Sequence, residues 1–343
     1  MANVGSWLRR IVSALCGLAL LALLAGFTYE QIGRVRDASR LPPRVGRAID
    51  IGGRALNLYC SGEGSPAVIL ESGGNAPGLS WALVQPKIAE FTRTCWYDRA
   101  GVGWSDPPAS PRTGASVASD LHEVLRRAGE APPYVMVGAS VGGEYVRIYA
   151  ARYPSDVAGV VLVDSTHPDQ REPAFALSPA NRVPPRIRHI ICMALPMMSR
   201  FGMLRFIASR MKPRDTLAKL EAQPKALQTD AEQACAATDA GRVTSTVGGG
   251  NPDLDNAARH AGRLGDHPLV VLTAGKYWAP DGMEKEAEQY HEVWVHQLQA
   301  SLAQLSTRGR QVVVDAHHGI AGEAPEAVVS AVRQVVEEVR AKK

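Results

Sequence analysis

The sequence lacks the features that define several common classes of protein. Its 343 residues contain no internal repeat and no long low-complexity tract, which argues against a repeat array. The net charge is only +4, and lysine and arginine are nowhere clustered with interleaved aromatic residues, so we expect no nucleic-acid partner. No pair of cysteines or histidines has the spacing of metal ligands, so we expect neither a metal nor another cofactor.

The remaining composition is that of an ordinary folded protein. Hydrophobic residues make up 45% of the chain and charged residues 21%. A chain of this length can bury one large core, or one core together with a subdomain.

Charge is absent from residues 11–27, an apolar run that follows Arg9 and Arg10. Its length is at the lower limit for a membrane-spanning helix and is long for the core of a signal peptide, and no clean small-x-small cleavage site follows it. We therefore expect residues 1–30 to be an uncleaved signal-anchor that leaves the rest of the chain exported, in the periplasm or outside the cell. A cleaved signal peptide and a secreted protein are the alternative. Residues 31–46 are basic, contain proline and are interpreted as a linker.

Cysteine is sparse, with five residues, of which Cys16 lies in the apolar run. The other four are Cys60, Cys95, Cys192 and Cys235, an even number, as oxidising compartments favour. Four cysteines permit three pairings, and four unrelated buried thiols are an equal alternative.

Short apolar segments alternate with helical patterns over most of the remaining chain. Seven segments are typical of strands: residues 54–60, 66–74, the first part of 92–106, 134–137, 157–164, 267–275 and 311–319. Helical spacing occupies residues 117–129, the stretch after residue 142, and residues 325–340. Such alternation is typical of a mainly parallel sheet covered by helices on both faces.

The alternation stops between the fifth and sixth of these seven segments. We interpret residues 167–265 as an insertion on top of the sheet, helical in pattern and rich in methionine and arginine. Its methionines either line a pocket or pack the insertion on the sheet; they are Met193, Met197, Met198, Met203 and Met211. Residues 182–225 carry ten basic residues against two acidic ones, and this surface is interpreted as solvated or as a contact for anionic headgroups.

A serine stands between two glycines where a strand pattern passes into a helix pattern, in the sequence GASVG at residues 138–142. The G-x-S-x-G pentapeptide alone is a weak signal in a chain with 32 glycines. Its context is stronger, because a nucleophile on such a turn is held in a strained conformation and Gly138 and Gly142 leave room for close packing. The first helical N–H groups, from Val141 onward, would point toward an anion that forms beside the Ser140 hydroxyl.

A serine hydroxyl needs a base, and the base needs a group that orients it. In parallel sheets such groups lie at the carboxyl ends of the strands. His317 and His318 stand at the end of the last strand segment, beyond Ser140 in the chain. The glycines of ESGGNAPG stand at the end of another strand, where they would let backbone N–H groups approach a substrate oxygen.

With these motifs, the chain from about residue 46 to its end resembles the α/β-hydrolases, the large family of serine esterases and related hydrolases. VILESGG resembles the oxyanion loop, WYDRAGVGWSD the loop after the following strand, VGASVGG the nucleophile elbow and HHGIAGEAP the histidine loop, all in the expected order. The chain departs from many relatives in having Ala139 where they have histidine, and E-S-G-G where they have H-G. The resemblance implies an eight-stranded α/β-hydrolase sheet, with the cap after strand six dividing the core into residues 47–166 and 266–343.

Carried over residue by residue, the resemblance makes Ser140 the nucleophile and His318 the base. It makes the backbone N–H groups of Gly74 and Val141 the donors to the oxyanion. His318 fits the family's H-x-I-x-x-x-x-P spacing, whereas His317 fits one residue worse and is interpreted as a packing neighbour.

The resemblance leaves two candidates for the acid that orients the base. Asp164 ends a strand, and a strand terminus would hold the carboxylate in a fixed position. Asp281 lies in a longer loop after the next strand, beyond a proline. We favour Asp164, with Asp281 as the runner-up.

The resemblance also implies that the second strand lies beside the fourth. Cys60 and Cys95 would then lie on neighbouring strands and could form a disulfide if register and side-chain faces agree. Cys192 and Cys235, both in the predicted cap, would be left to pair with each other.

Serine as the nucleophile, rather than the aspartate of epoxide hydrolases and dehalogenases, implies acyl transfer to water. The expected function is a serine hydrolase with a Ser-His-Asp triad that cleaves a small-molecule carboxylic ester, thioester or amide. The alternative is a catalytically silent member that binds a ligand or partner beneath the cap. The oligomeric state stays open.

Overall fold

The structure is a computed structural model that describes residues 2–40, 43–74, 76–109, 112–170, 185–210, 252–279 and 281–342. The strands in these residues are β1 (Arg47–Asp50), β2 (Ala55–Ser61), β3 (Ala67–Glu71), β4 (Thr94–Tyr97), β5 (Tyr134–Ala139), β6 (Val157–Val163), β7 (Leu269–Ala274) and β8 (Gly309–Val314). The helices are α1 (Ala2–Arg40), α2 (Gln85–Ala89), α3 (Gly114–Ala128), α4 (Gly142–Arg152), α5 (Pro185–Arg200), α6 (Met203–Arg210), α7 (Pro252–His260), α8 (Glu284–Val293), α9 (Ala300–Ala303), α10 (Ile320–Glu323) and α11 (Pro325–Ala341).

The strands form one sheet in the order β1-β2-β4-β3-β5-β6-β7-β8. β1 and β2 run antiparallel to their neighbours, and every pair from β4 to β8 is parallel. The predicted eight-stranded, mainly parallel sheet is therefore confirmed, and so are the positions of the seven strands predicted from the pattern. β1 carried no readable apolar pattern, because only Ile49 of its four residues is buried. β8 ends at Val314, so its predicted extent to residue 319 was wrong, and the chain turns before it reaches the two histidines.

Both faces of the sheet are covered by helices, as the unbroken apolar strands predicted. Alternate residues of one strand enter two different cores, since side chains of a strand point to opposite faces. In β3, Ile69 packs with α3 and α4 on one face, whereas Val68 and Leu70 pack with α11 on the other. Each fully buried aliphatic side chain of this kind contributes about 1.5–3 kcal/mol. This two-sided burial makes the sheet a rigid support for the loops at its edge.

The register of β2 on β4 brings two cysteines into direct opposition. Cys60 pairs with Cys95 across the antiparallel ladder, and the two are joined in a disulfide. The proposed pairing of Cys192 with Cys235 lies outside the described residues, because Cys235 is not among them.

The described part of the segment between β6 and β7 contains the helices α5, α6 and α7. The position of this segment as a cap, and the domain boundaries that depend on it, stay predictions. Three of its methionines, Met197, Met198 and Met203, line a cleft against α1, which is neither of the two placements expected from the sequence. Met211 lies outside the described residues. In α1, an 18-residue window within Ser6–Arg36 has a mean hydropathy of 2.3, and the helix is long enough to cross a membrane.

Candidate active site

Ser140 occupies the turn between β5 and α4 with a φ of 52°. A residue with a side chain rarely adopts this left-handed conformation, which costs on the order of 1–3 kcal/mol and persists where surrounding structure enforces it. Two glycines make the turn possible: a Cβ on Gly138 would lie 2.6 Å from the Gly142 carbonyl oxygen, and one on Gly142 would lie 2.5 Å from that of Glu71. The Ser140 N–H donates to the Val163 carbonyl at 3.0 Å, which fixes the turn against β6.

His318 lies between Ser140 and Asp164 and is hydrogen-bonded to both. Its Nε2 is 3.0 Å from the Ser140 Oγ, and its Nδ1 is 2.6 Å from the Asp164 Oδ2. An ionised carboxylate can only accept, so Nδ1 carries the proton and Nε2 presents its lone pair to the serine hydroxyl. The hydrogen bond to Asp164 raises the pKa of His318 above its usual value, against the opposing effect of burial. The imidazole is therefore a stronger base than a free histidine and has a direct path to the serine proton.

Asp164 is held by more than its histidine partner. It follows β6 with a φ of 41°, a second strained non-glycine residue at the site, and its side chain is 3% exposed. Its Oδ1 accepts from the Ala274 N–H at 2.9 Å and from the Trp294 indole N–H at 2.9 Å. These two donors leave Oδ2 for His318 and set the plane of the carboxylate.

Trp294 is a site residue that the sequence analysis missed. It begins a π-helical turn, Trp294–Gln299, that continues α8, and its own side chain is buried. Such turns occur frequently at functional sites. Nothing in the spacing of the sequence marked Trp294, because its contact with Asp164 spans 130 positions of the chain.

The two alternative residues from the sequence lie elsewhere. Asp281 is exposed in the loop before α8, and among the described residues its carboxylate makes no hydrogen bond with His318. His317 is 52% exposed and its Nδ1 is 3.0 Å from the Glu323 Oε2. The structure thus brings Ser140, His318 and Asp164 together and leaves the other two outside this group.

The glycine loop after β3 lies against the serine. A Cβ on Gly73 would be 3.0 Å from the Ser140 Cβ, so the loop touches the elbow directly. Gly74 has a φ of 41° and open space on its Cβ side. Within the part of the chain that the structure describes, neither the Gly74 N–H nor the Val141 N–H donates a hydrogen bond.

A buried arginine holds this loop in place, a second feature that the sequence analysis missed. Arg99, 2% exposed, forms an ion pair with Glu71, which is 1% exposed and also accepts from the Tyr97 hydroxyl at 2.5 Å. The guanidinium donates to the carbonyl of Ser72 at 2.6 Å, and to the carbonyls of the next two loop residues. A carbonyl that points at Arg99 turns the following N–H away from it, so the arginine controls the direction of the loop's donors.

One group of side chains in the described residues has the spacing for a shared metal ion, namely Cys60, Cys95 and Glu130. Both sulfurs are bonded to each other, and disulfide sulfur has no thiolate to offer a metal. The group therefore does not fit a metal centre.

The sheet order, the elbow and the arrangement of Ser140 with His318 define an α/β-hydrolase fold. Residues 66–191 match the sequence profile of the α/β hydrolase fold. The chain is similar to an esterase from Thermogutta terrifontis, with 20% identity, a TM-score of 0.56 and coverage of 85% of this chain and 98% of that one. It is also similar to the haloalkane dehalogenase DbeA from Bradyrhizobium elkani, with 16% identity, a TM-score of 0.61 and coverage of 87% and 99%. At these identities the structural likeness concerns the fold.

Among curated sequences, the chain is 26% identical to the uncharacterized protein YbdG of Bacillus subtilis over 59% of this chain and 60% of that protein. It is 32% identical to a 2-hydroxymuconate semialdehyde hydrolase of a Pseudomonas species over 38% of this chain and 46% of that protein. The chain thus spans 60% or less of the length of these curated relatives. Together, the profile match and the structural neighbours show that the chain has an α/β-hydrolase fold.

Proposed function

We propose that this protein is a serine hydrolase that cleaves a carboxylic ester, thioester or amide of a small molecule through an acyl-enzyme intermediate. The observation that carries the proposal is the continuous hydrogen-bonded path from the Ser140 hydroxyl through His318 to Asp164. Hydrolases among the relatives and neighbours support it at the level of the class.

In the acylation step, His318 Nε2 takes the Ser140 proton as Oγ attacks the carbonyl carbon of the substrate. The tetrahedral intermediate places its negative oxygen beside the free N–H groups of Gly74 and Val141, which stabilise it. Collapse of the intermediate breaks the bond to the leaving group, which receives the proton from Nε2. Asp164 remains ionised and stabilises the imidazolium that forms in between.

In the deacylation step, water repeats the same chemistry. His318 takes a proton from water, the resulting hydroxide attacks the acyl carbon, and the Ser140 oxygen leaves with the proton returned from Nε2. Serine in place of an aspartate nucleophile supports acyl transfer rather than displacement at an alkyl carbon or an epoxide.

The membrane and export are part of the same proposal. α1 would anchor the chain in a membrane by its apolar stretch, with the catalytic domain in an exported compartment. The disulfide between Cys60 and Cys95 supports this location, since structural disulfides persist in oxidising environments. The helices between β6 and β7 would form the cap that covers the bound acyl group.

The first test uses a fluorophosphonate probe and a series of p-nitrophenyl esters of increasing acyl length. We expect the wild type to be labelled and to turn over at least one ester, and Ser140→Ala to lose both properties. Ser155→Ala, an exposed serine beyond α4, is the matched control and should behave as the wild type. Absence of labelling and turnover in the folded wild type would instead support the silent ligand-binding protein.

The second test separates the two adjacent histidines. We expect His318→Ala to lose several orders of magnitude in kcat, because Nε2 is the base, whereas His317→Ala should keep most of its activity. The reverse result would show that the base is assigned to the wrong residue.

A further inference from the structure

A buried ion pair attaches the N-terminal helix to the helices between β6 and β7. Arg205 of α6 donates from Nε to Glu30 of α1 at 2.9 Å, and from a terminal nitrogen to the second oxygen at 3.2 Å. The two side chains are only 9% and 7% exposed. Arg34 donates to the same carboxylate from one helical turn away, at 2.9 Å. Loss of the Glu30 carboxylate while α1 stays in place would leave a buried guanidinium without this partner, which is strongly unfavourable.

Glycines on both sides let α1 and α6 come into contact at this joint. A Cβ on Gly26 of α1 would lie 2.6 Å from the Phe201 carbonyl oxygen, and one on Gly33 would overlap the Arg205 guanidinium. Across the contact, a Cβ on Gly202 would lie 2.8 Å from the Tyr29 ring. The fit therefore involves side-chain shape as well as charge.

Around the joint, α5 and α6 present an apolar surface. Its large apolar side chains are between 45% and 68% exposed, and they are Ile187, Ile190, Met193, Met197, Met203, Phe206 and Ile207. Between this surface and α1 lies a cleft of about 570 Å³ whose ten lining residues carry no charge. An exposed apolar patch of this kind marks a site for a protein or a membrane.

Position and charge together favour a membrane as the occupant. The surface starts where the apolar run of α1 ends, since Gly26 is in contact with Phe201 and the run extends to residue 27. Residues 185–210 contain five arginines and no acidic residue, which suits anionic headgroups, and Arg200 and Arg210 are exposed. A second copy of the chain would bring the same positive charges together.

We propose that the apolar surface of α5 and α6 is seated in the lipid bilayer beside α1, with the Glu30–Arg205 pair holding the two together. Acyl chains of lipids fill the cleft. The segment after β6 is thereby held at the membrane surface, and the hydrolase draws on ester or amide substrates that partition into the bilayer. The inference rests on the proposed membrane anchorage and extends the proposed function to the substrate class.

The test uses full-length protein in vesicles of phosphatidylcholine and phosphatidylglycerol, with an environment-sensitive fluorophore on one introduced cysteine. The background replaces Cys16, Cys192 and Cys235 by serine and keeps the disulfide. Labels are placed at Met193→Cys or Phe206→Cys, and at Glu337→Cys, an exposed site on α11, as the control. We expect lipids with nitroxides on their acyl chains to quench the first two labels and to leave the third unchanged.

Two results would overturn the proposal. One is that all three labels are equally unquenched although the protein floats with the vesicles. The same result is expected if a second copy of the chain covers the surface and shields it from lipid. The other is that the full-length protein does not float with the vesicles at all. Turnover of a water-soluble p-nitrophenyl ester in the same samples reports the hydrolase separately, so loss of membrane seating and loss of the proposed activity are distinguishable.

Charge reversal tests the ion pair. We expect Glu30→Arg or Arg205→Glu alone to reduce quenching of the label at position 206, and the double variant to restore it, because the pair is re-formed with opposite polarity. If neither single variant changes the quenching, the ion pair does not hold the surface at the membrane. If both reduce it and the double variant does not restore it, the pair is likewise refuted as the link.

Discussion

Replacement of Asp164 by Asn is the sharpest test of the catalytic assignment, because the surrounding donors determine how the amide must sit. Oδ1 of Asp164 receives two donors, the Ala274 N–H and the Trp294 indole N–H. An asparagine would place its carbonyl oxygen there, and its NH₂ group would occupy the position that now faces His318. That NH₂ group donates, so His318 Nδ1 would have to accept and the proton would move to Nε2. A protonated Nε2 cannot take the proton of Ser140.

The loss in kcat should be about ten-thousand-fold, the size seen when a triad aspartate becomes asparagine in serine proteases, or about 5 kcal/mol in the activation free energy. KM and the unfolding temperature should change little, since shape and both buried donors are retained. Steady-state kinetics with a p-nitrophenyl ester measure the loss, and ¹⁵N shifts of His318 report the tautomer. Asp281→Asn is the matched control and should remain close to the wild type. Retention of a tenth or more of kcat by Asp164→Asn, or a comparable loss in Asp281→Asn, would refute this reasoning.

Three further predictions follow from the same contacts. His318 must be neutral to act as a base, and the hydrogen bond to Asp164 raises its pKa. We therefore expect kcat/KM to fall as the pH drops through a value above about 6.5. An acid limb of the pH profile well below that value would contradict the hydrogen bond to the carboxylate. Trp294→Phe removes one hydrogen-bond donor to the Asp164 carboxylate, a loss of about 1.5–3 kcal/mol that should lower kcat by at most one to two powers of ten. Trp278, which is 72% exposed, is the control, and Trp278→Phe should have no effect. Equal rates for the two variants would show that the indole does not position the acid. Replacement of Cys60 and Cys95 by serine opens a loop with a sequence separation of 35 and should lower the free energy of unfolding by about 3–4 kcal/mol in denaturant titrations, and an unchanged midpoint would refute the constraint.

Most of the fold could be predicted from local sequence patterns. Seven strands were predictable because buried parallel strands are apolar without interruption, and the elbow because only small residues permit its close approach. β1 was not predictable, since an edge strand with a single buried residue has no such pattern. The predicted end of β8 was too late, because its last positions resemble strand residues although they already belong to the turn toward His318.

No local sequence pattern predicted Trp294 or Arg99, the two side chains that position Asp164 and the glycine loop. Trp294 reaches Asp164 across 130 positions, and Arg99 reaches the glycine loop across 25 to 27 positions. Each residue type is common in ordinary cores or loops, so neither stands out without its partner. The contact of the methionines with α1 rather than with the sheet was not predictable for the same reason, because it also joins residues that are far apart in the sequence.

By itself, the sequence determined that the chain forms a two-sided parallel sheet, that Ser140 lies on its elbow, and that His318 follows the last strand, because burial and turn geometry leave their marks on neighbouring residues. Only the tertiary structure decided between Asp164 and Asp281 as the partner of His318, since both were compatible with their loops. It also decided that Cys60 and Cys95 are bonded to each other, and that Glu30 of the N-terminal helix meets Arg205. The reason is common to all three: strand register and helix docking are set by packing over the whole core, and a pairing between distant residues is the result of that packing rather than of either local sequence.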